Sequence, residues 1–84
     1  SLVDRYDGQI LLALAAYNAG STAVRRWLPV QSIDSDIWME NIPYNETRNY
    51  VQRILWHSLV FHWLRTSEPL DTQAWLPPIS PIVQ

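Results

Sequence analysis

Apolar positions along the chain mark out four helical stretches. The first, Gly8 to Asn18, reads GQILLALAAYN. Ile10, Leu14 and Tyr17 share one helical face while Leu11 and Leu12 point elsewhere, and a helix apolar on most sides is buried on most sides. Ala13, Ala15 and Ala16 leave room for a neighbour to pack closely. Asn18-Ala19-Gly20 supplies the stop, with Gly20 suited to a left-handed cap. Ser21 is placed to cap a second short helix through Leu28, which Pro29 terminates. Residues 29 to 35 read as a loop. Asp34 or Ser35 starts a single turn through Trp38 to Asn41, and Ile42 is biased to extended geometry by Pro43.

The fourth helix is the longest. Asn45 is the expected N-cap, and Glu46 places a negative charge in the first turn, where it suits the helix dipole. Val51, Ile54, Leu55 and Leu59 make one apolar stripe. From Trp56 to Leu64, however, Trp56, Val60, Phe61, Trp63 and Leu64 cover the remaining faces, so this half needs cover on both sides. Pro69 fixes its end near Thr66 or Ser67. The tail, Gln73 to Gln84, is expected to run extended and to cover part of the exposed side of that helix. No strand pattern emerges, so the fold class is all-α with an extended, proline-rich tail.

Composition narrows the possible functions. With 84 residues, 48% of them hydrophobic and 17% charged, the chain is long enough for one small domain with a thin core. A net charge of -2 without a basic stripe argues against nucleic acid as a partner. The absence of cysteine removes disulfides and thiolate chemistry. No apolar run approaches the roughly 20 residues of a membrane span. Five tryptophans and four tyrosines point mildly to sugars, whose faces stack on aromatic rings, although core packing accounts for most such rings in a small helical domain.

Few residues carry chemistry on their own. His57 and His62 are five apart, about 140° around a helix, where metal-binding pairs need three or four, so no metal or cofactor is expected. Asn45-Glu46-Thr47 matches a glycosylation acceptor but is explained by the helix start. Glu40 and Glu46 bracket the Ile42-Pro43 kink, and a glycosidase needs two carboxyl groups around the scissile bond. Read alone, they are a surface residue and a helix-start residue. Tyr17-Asn18-Ala19-Gly20 presents a phenol and an amide where a helix stops, a fixed scaffold that can hydrogen-bond a sugar. The plainer account is a core tyrosine and an asparagine closing the helix end.

Two longer motifs change that balance. Ala13-Leu-Ala-Ala-Tyr-Asn-Ala-Gly20, followed by Val24 and Trp27, resembles the ALAAYNAG…V..W segment of soluble lytic transglycosylases. Asp36-Ile-Trp-Met-Glu-Asn-Ile-Pro-Tyr-Asn-Glu-Thr-Arg-Asn-Tyr-Val51 resembles the same family's W.E.IP..ETR.YV segment. The motifs stand in the family's order, and the resemblance covers roughly residues 4 to 66. It implies a goose-lysozyme-like helical fold and a periplasmic or outer-membrane-associated enzyme acting on peptidoglycan. Such enzymes cut the β-1,4 bond between N-acetylmuramic acid and N-acetylglucosamine. One glutamic acid protonates the bridging oxygen, then assists attack by the muramic 6-hydroxyl, giving a 1,6-anhydro ring without consuming water.

Carried over by position, the resemblance makes Tyr17 and Asn18 cleft-lining residues beside the catalytic acid. It makes Glu46 the glutamate that holds glycan, Tyr50 and Arg48 braces of that geometry, and Glu40 a weaker candidate. Trp27 and Trp38 match the pattern and are expected in the core. The family's catalytic Glu-Ser motif and its Gly-Leu-Met-Gln motif are missing. The glutamates here, Glu40, Glu46 and Glu68, are followed by Asn, Thr and Pro. The expectation is therefore the C-terminal part of a catalytic domain at residues 1–66, a tail at 67–84, and a catalytic glutamate upstream of this chain. Expected partners are glycan strands, the missing N-terminal half, and a second copy where that half is absent. A non-catalytic glycan-binding module and a helical interaction module remain as alternatives.

Overall fold

A computed structural model describes residues 9–68 and 76–79. Among these residues four helices follow in order: α1 (Ile10–Ala19), α2 (Ser21–Trp27), α3 (Ser35–Glu40) and α4 (Asn45–Thr66). α1 packs against both α2 and α4, and α3 packs against α4. The described residues contain no strand.

α1 is built from leucine and alanine, the strongest helix formers, and hides Leu11, Leu12, Ala13, Ala15 and Ala16. Burial spread over several faces is what its all-round apolar character implies. Tyr17, however, does not join Ile10 and Leu14 against the body: it stands 74% exposed. Gly20 ends the helix, donating its N–H to the Ala16 carbonyl at 2.8 Å. Its backbone, at φ 94° and ψ 152°, lies outside the left-handed helical well, in a region that side-chain-bearing residues avoid. The same residue opens α2, where its carbonyl accepts from the Val24 N–H. Gly20, and not Ser21, is thus the N-cap of α2. One glycine both stops a helix and turns the chain into the next.

α2 ends at Trp27, and Leu28 is extended at ψ 138°, as a residue preceding proline should be. The last carbonyl of α2 is not left open: the indole N–H of Trp38 donates to the Trp27 carbonyl at 2.8 Å. Trp38 is buried, and it ties α3 to the end of α2 while filling the core. After α3, buried Ile42 precedes Pro43, and the Arg48 guanidinium braces this connection by donating to the Ile42 carbonyl at 2.8 Å.

The start of α4 corrects one expectation. Tyr44 is the N-cap residue and Asn45 is already helical. The Asn45 side-chain oxygen accepts from Arg48 one turn ahead, which occupies the group that would otherwise have capped the helix. Thr47 and Val51 are buried, one turn apart on the inward face. At 22 residues α4 is about 33 Å long, close to the molecule's longest dimension of 38 Å. Its second half runs past the core, leaving Trp56, Phe61, Trp63 and Leu64 exposed.

The tail does not cover those rings in the described residues. Ile79 forms an antiparallel bridge with Ile33, the two backbones exchanging hydrogen bonds of 2.9 and 2.7 Å. Ser35 Oγ donates to the Leu76 carbonyl at 3.0 Å, and Ile79 is buried in the core. Backbone hydrogen bonding at the entry to α3 directs this segment there, and α4 offers no free backbone groups to compete. The remainder of the tail, Trp75 included, lies outside the described residues.

Candidate functional site

The corner at Gly20 brings the end of α1 onto the first turns of α4, and this junction gathers four of the five candidate residues. Thr47 reaches across from α4: its hydroxyl donates to Asn18 Oδ1 at 2.7 Å. Thr47 is only 1% exposed, so its end of the bond sits where water does not compete. It also orients the Asn18 amide. The oxygen is committed inward, and the NH₂ group has no protein partner among the described residues. Asn18 therefore positions donors, not an acceptor, toward whatever occupies the surface beside it.

Tyr17 precedes Asn18 by one residue, so its side chain leaves the helix about 100° away. It stacks against Tyr50 with ring centroids 6.4 Å apart and an interplanar angle of 20°. Tyr50 is half-buried and anchors the pair, while Tyr17 offers its surface to solvent. An exposed ring held by a second ring is a poor core element and a good shelf. The core account of Tyr17 fails on its exposure, and the helix-closing account of Asn18 gives way to its bond with Thr47.

Glu46 stands exposed in the first turn of α4. It shares a helix stripe with Tyr50, one turn on, and with Arg53 and His57 after that, at spacings of four, seven and eleven residues. The Arg53 guanidinium lies 6.0 Å from the Tyr50 ring centre. Arg48 serves the backbone, as described above, and has no place on this stripe. Glu40, the last residue of α3, is exposed, and no hydrogen bond or ring contact among the described residues joins it to the others. Contacts thus join Tyr17 to Tyr50 and Asn18 to Thr47, Glu46 is tied to them by its register on α4, and Glu40 is left aside.

Sequence reading missed two participants. Thr47 could have been found from its register, since a polar residue one turn before Val51 on the core-facing stripe needs an internal partner. Arg53 could have been found from its spacing to Glu46 and Tyr50. Among the described residues there is no cluster of three potential metal ligands, and no helix is long and apolar enough to cross a membrane. An apolar groove of about 520 Å³ between α1, α3, α4 and the tail, lined by Leu11, Met39, Leu55, Leu59 and Leu76, contains none of the candidate residues.

No family model matches the chain. Individual proteins do. A soluble lytic murein transglycosylase of Escherichia coli strain K12 is 36% identical over 67 residues, which is 77% of this chain and 10% of that protein. The protein of the same description from Salmonella typhimurium is 40% identical over 69 residues, 79% of this chain and 11% of its own length. Among solved structures, an inactive mutant of the lytic transglycosylase Slt from Pseudomonas aeruginosa, with a glutamate changed to glutamine, matches with a TM-score of 0.72 at 37% identity. That match covers 82% of this chain and 11% of the larger one. The chain therefore spans about a tenth of the length of the relatives it matches. The agreement in sequence and the superposition of backbones together establish that this chain carries a segment of the soluble lytic murein transglycosylase family.

Proposed function

We propose that this chain forms one wall of the glycan cleft in a peptidoglycan lytic transglycosylase, and that the acid that cleaves the bond lies in a segment preceding it. The observation that carries the reading is the junction of α1 and α4, where Tyr17 stacks on Tyr50 and Thr47 holds Asn18, with Glu46 one turn before Tyr50 on the same stripe. An exposed aromatic shelf, outward amide donors and a carboxylate are groups that suit a sugar with its apolar face and its ring of hydroxyl and acetamido groups.

In this mechanism the wall binds and orients. The Tyr17–Tyr50 shelf stacks a sugar ring, Asn18 donates to an acetamido or hydroxyl oxygen, and Glu46 accepts from hydroxyl groups. Holding the muramyl residue so that its own 6-hydroxyl faces the anomeric carbon makes ring closure outrun attack by water. Glu40 is a weaker part of the same wall. The reaction takes place in the cell envelope, on its periplasmic or outer-membrane side. The relatives carry about nine-tenths of their length outside the matched span, and the exposed apolar half of α4 offers a surface on which further parts of such a domain pack.

The test is a graft. The matched segment of the Escherichia coli relative is replaced by this chain, and murein sacculi are digested with the chimera and with this chain alone. Soluble products are read by mass, because a 1,6-anhydro end is lighter by one water than a hydrolysed end. Anhydro products from the chimera, lost on Glu46→Gln or Tyr17→Ala, support the reading. Anhydro products from this chain alone would place the acid within it and refute the assignment. A folded chimera that releases nothing would count against the cleft-wall role.

A further inference from the structure

Arg53 is the charged residue that the cleft-wall reading leaves unused. It continues the Glu46–Tyr50 stripe, exposed, with its guanidinium against the Tyr50 ring. Among the described residues its electrostatic surroundings are one-sided. α1, the helix alongside, carries no charged residue. On α4 the one carboxylate is Glu46 in the first turn, and Glu68 stands two residues past the helix end. Seven residues separate Glu46 from Arg53, about 10 Å along the axis, and thirteen separate Arg53 from the helix end at Thr66, about 20 Å, with Glu68 beyond it. Both lie at or beyond the Debye length of about 8 Å at physiological salt, so neither neutralises the guanidinium. No ion pair to Arg53 occurs among the described residues. His57 follows one turn later and adds a ring N–H donor on the same side.

We infer that Arg53, beside the Tyr50 ring of the shelf, is a specificity-determining residue that reads a carboxylate on the muramyl sugar. The inference rests on the cleft-wall reading and adds to it a direction and a chemical class. The stripe from Glu46 to His57 spans about 16 Å, room for more than one sugar ring, and its ends differ. At the Glu46 end an acceptor faces hydroxyl groups. At the Arg53 end a planar five-donor cation faces solvent, a fork that matches a carboxylate. In peptidoglycan only the muramyl residue supplies that group, either as its own lactyl acid or, where a peptide is attached through the lactyl carbonyl, on the peptide.

The experiment titrates the 84-residue chain, labelled with ¹⁵N, with three ligands: neutral chitotriose, the GlcNAc–MurNAc disaccharide, and that disaccharide carrying an L-Ala-D-Glu stem. Backbone shifts at Tyr17 and Tyr50 report binding, and each ligand is repeated with Arg53→Gln, Arg53→Lys and Tyr17→Ala. The expected result is that Arg53→Gln weakens the acidic ligands about fivefold and leaves chitotriose unchanged. Arg53→Lys retains part of the preference, which fades in high salt, while Tyr17→Ala weakens all three. A preference for the bare disaccharide identifies the lactyl acid as the target, and a preference for the stem-bearing one identifies the peptide. Equal affinity for all three, indifferent to Arg53→Gln, would overturn the inference and leave the glycan wall standing. No shift at the shelf with any ligand would sink both.

Discussion

The hydrogen bond between Thr47 and Asn18 can be tested quantitatively, because its two ends have different surroundings. Thr47 is buried and Asn18 is half-buried. Thr47→Val removes the buried hydroxyl and leaves a methyl of similar volume in its place. The abandoned Asn18 oxygen can still meet water, so the loss is one net hydrogen bond, about 1 kcal/mol. Asn18→Ala instead leaves a hydroxyl trapped in a site water does not reach, which costs the full desolvation penalty, about 2 kcal/mol. The double variant loses both groups and should cost less than the sum, with a coupling of roughly 1 kcal/mol. Urea unfolding followed by tryptophan fluorescence suits a chain with five tryptophans. With a slope of about 1 kcal/mol per molar, those losses move the midpoint by roughly 1 and 2 M. If Thr47→Val proves the more damaging, or if the two losses simply add, the bond does not hold the junction.

Three further outcomes follow from the same structure. Gly20→Ala meets no atom within 4 Å, so its cost is purely conformational: about 1–3 kcal/mol for a residue forced to φ 94°, read as a lowered unfolding midpoint. Trp38→Phe keeps most of the core but frees the Trp27 carbonyl, and should destabilise the chain by about 2 kcal/mol in the same assay. The exposed rings of α4, Trp56, Phe61 and Trp63 with Leu64, expose roughly 600 Å² per copy, so two copies reach the lower bound of about 1,200 Å² for a specific interface. The chain at high concentration should sediment as a dimer that Trp63→Glu returns to monomer without loss of helicity, and a monomer at every concentration would refute the estimate.

What could be read from sequence divides along a physical line. Helix existence and extent followed from periodicity and from breakers acting on their immediate neighbours: Pro29 behind α2, Pro43 before α4, Gly20 between α1 and α2. These are local effects, and local rules reach them. The caps of α2 and α4 were misassigned by one residue each because capping depends on which partner reaches a group first. Asn45 had Arg48 within a turn, and Gly20 tolerated a backbone geometry that freed it to serve two helices. The part of the tail that is described, residues 76–79, is placed by a longer-range effect. Apolar matching points to the bare rings of α4, whereas Ile79 exchanges backbone hydrogen bonds with Ile33, a partner that periodicity does not reveal.

The same line runs through the site. Tyr17, Asn18 and Glu46 were singled out by motif, and a motif says that residues matter without saying how. Composition favoured a core role for Tyr17, since most rings in a small helical domain are buried, and only the three-dimensional path of α1 shows this ring facing outward. Helix register alone does not set its exposure, since Ala13, one turn back on the same face, is buried. Tyr50 catches it because Thr47 and Val51 fix the rotation of α4. The shelf is thus a by-product of how two cores' worth of small residues pack, which is why no local rule found it. Replacing Ala16 with a larger residue should consequently disturb the Tyr17–Tyr50 stack without touching either ring.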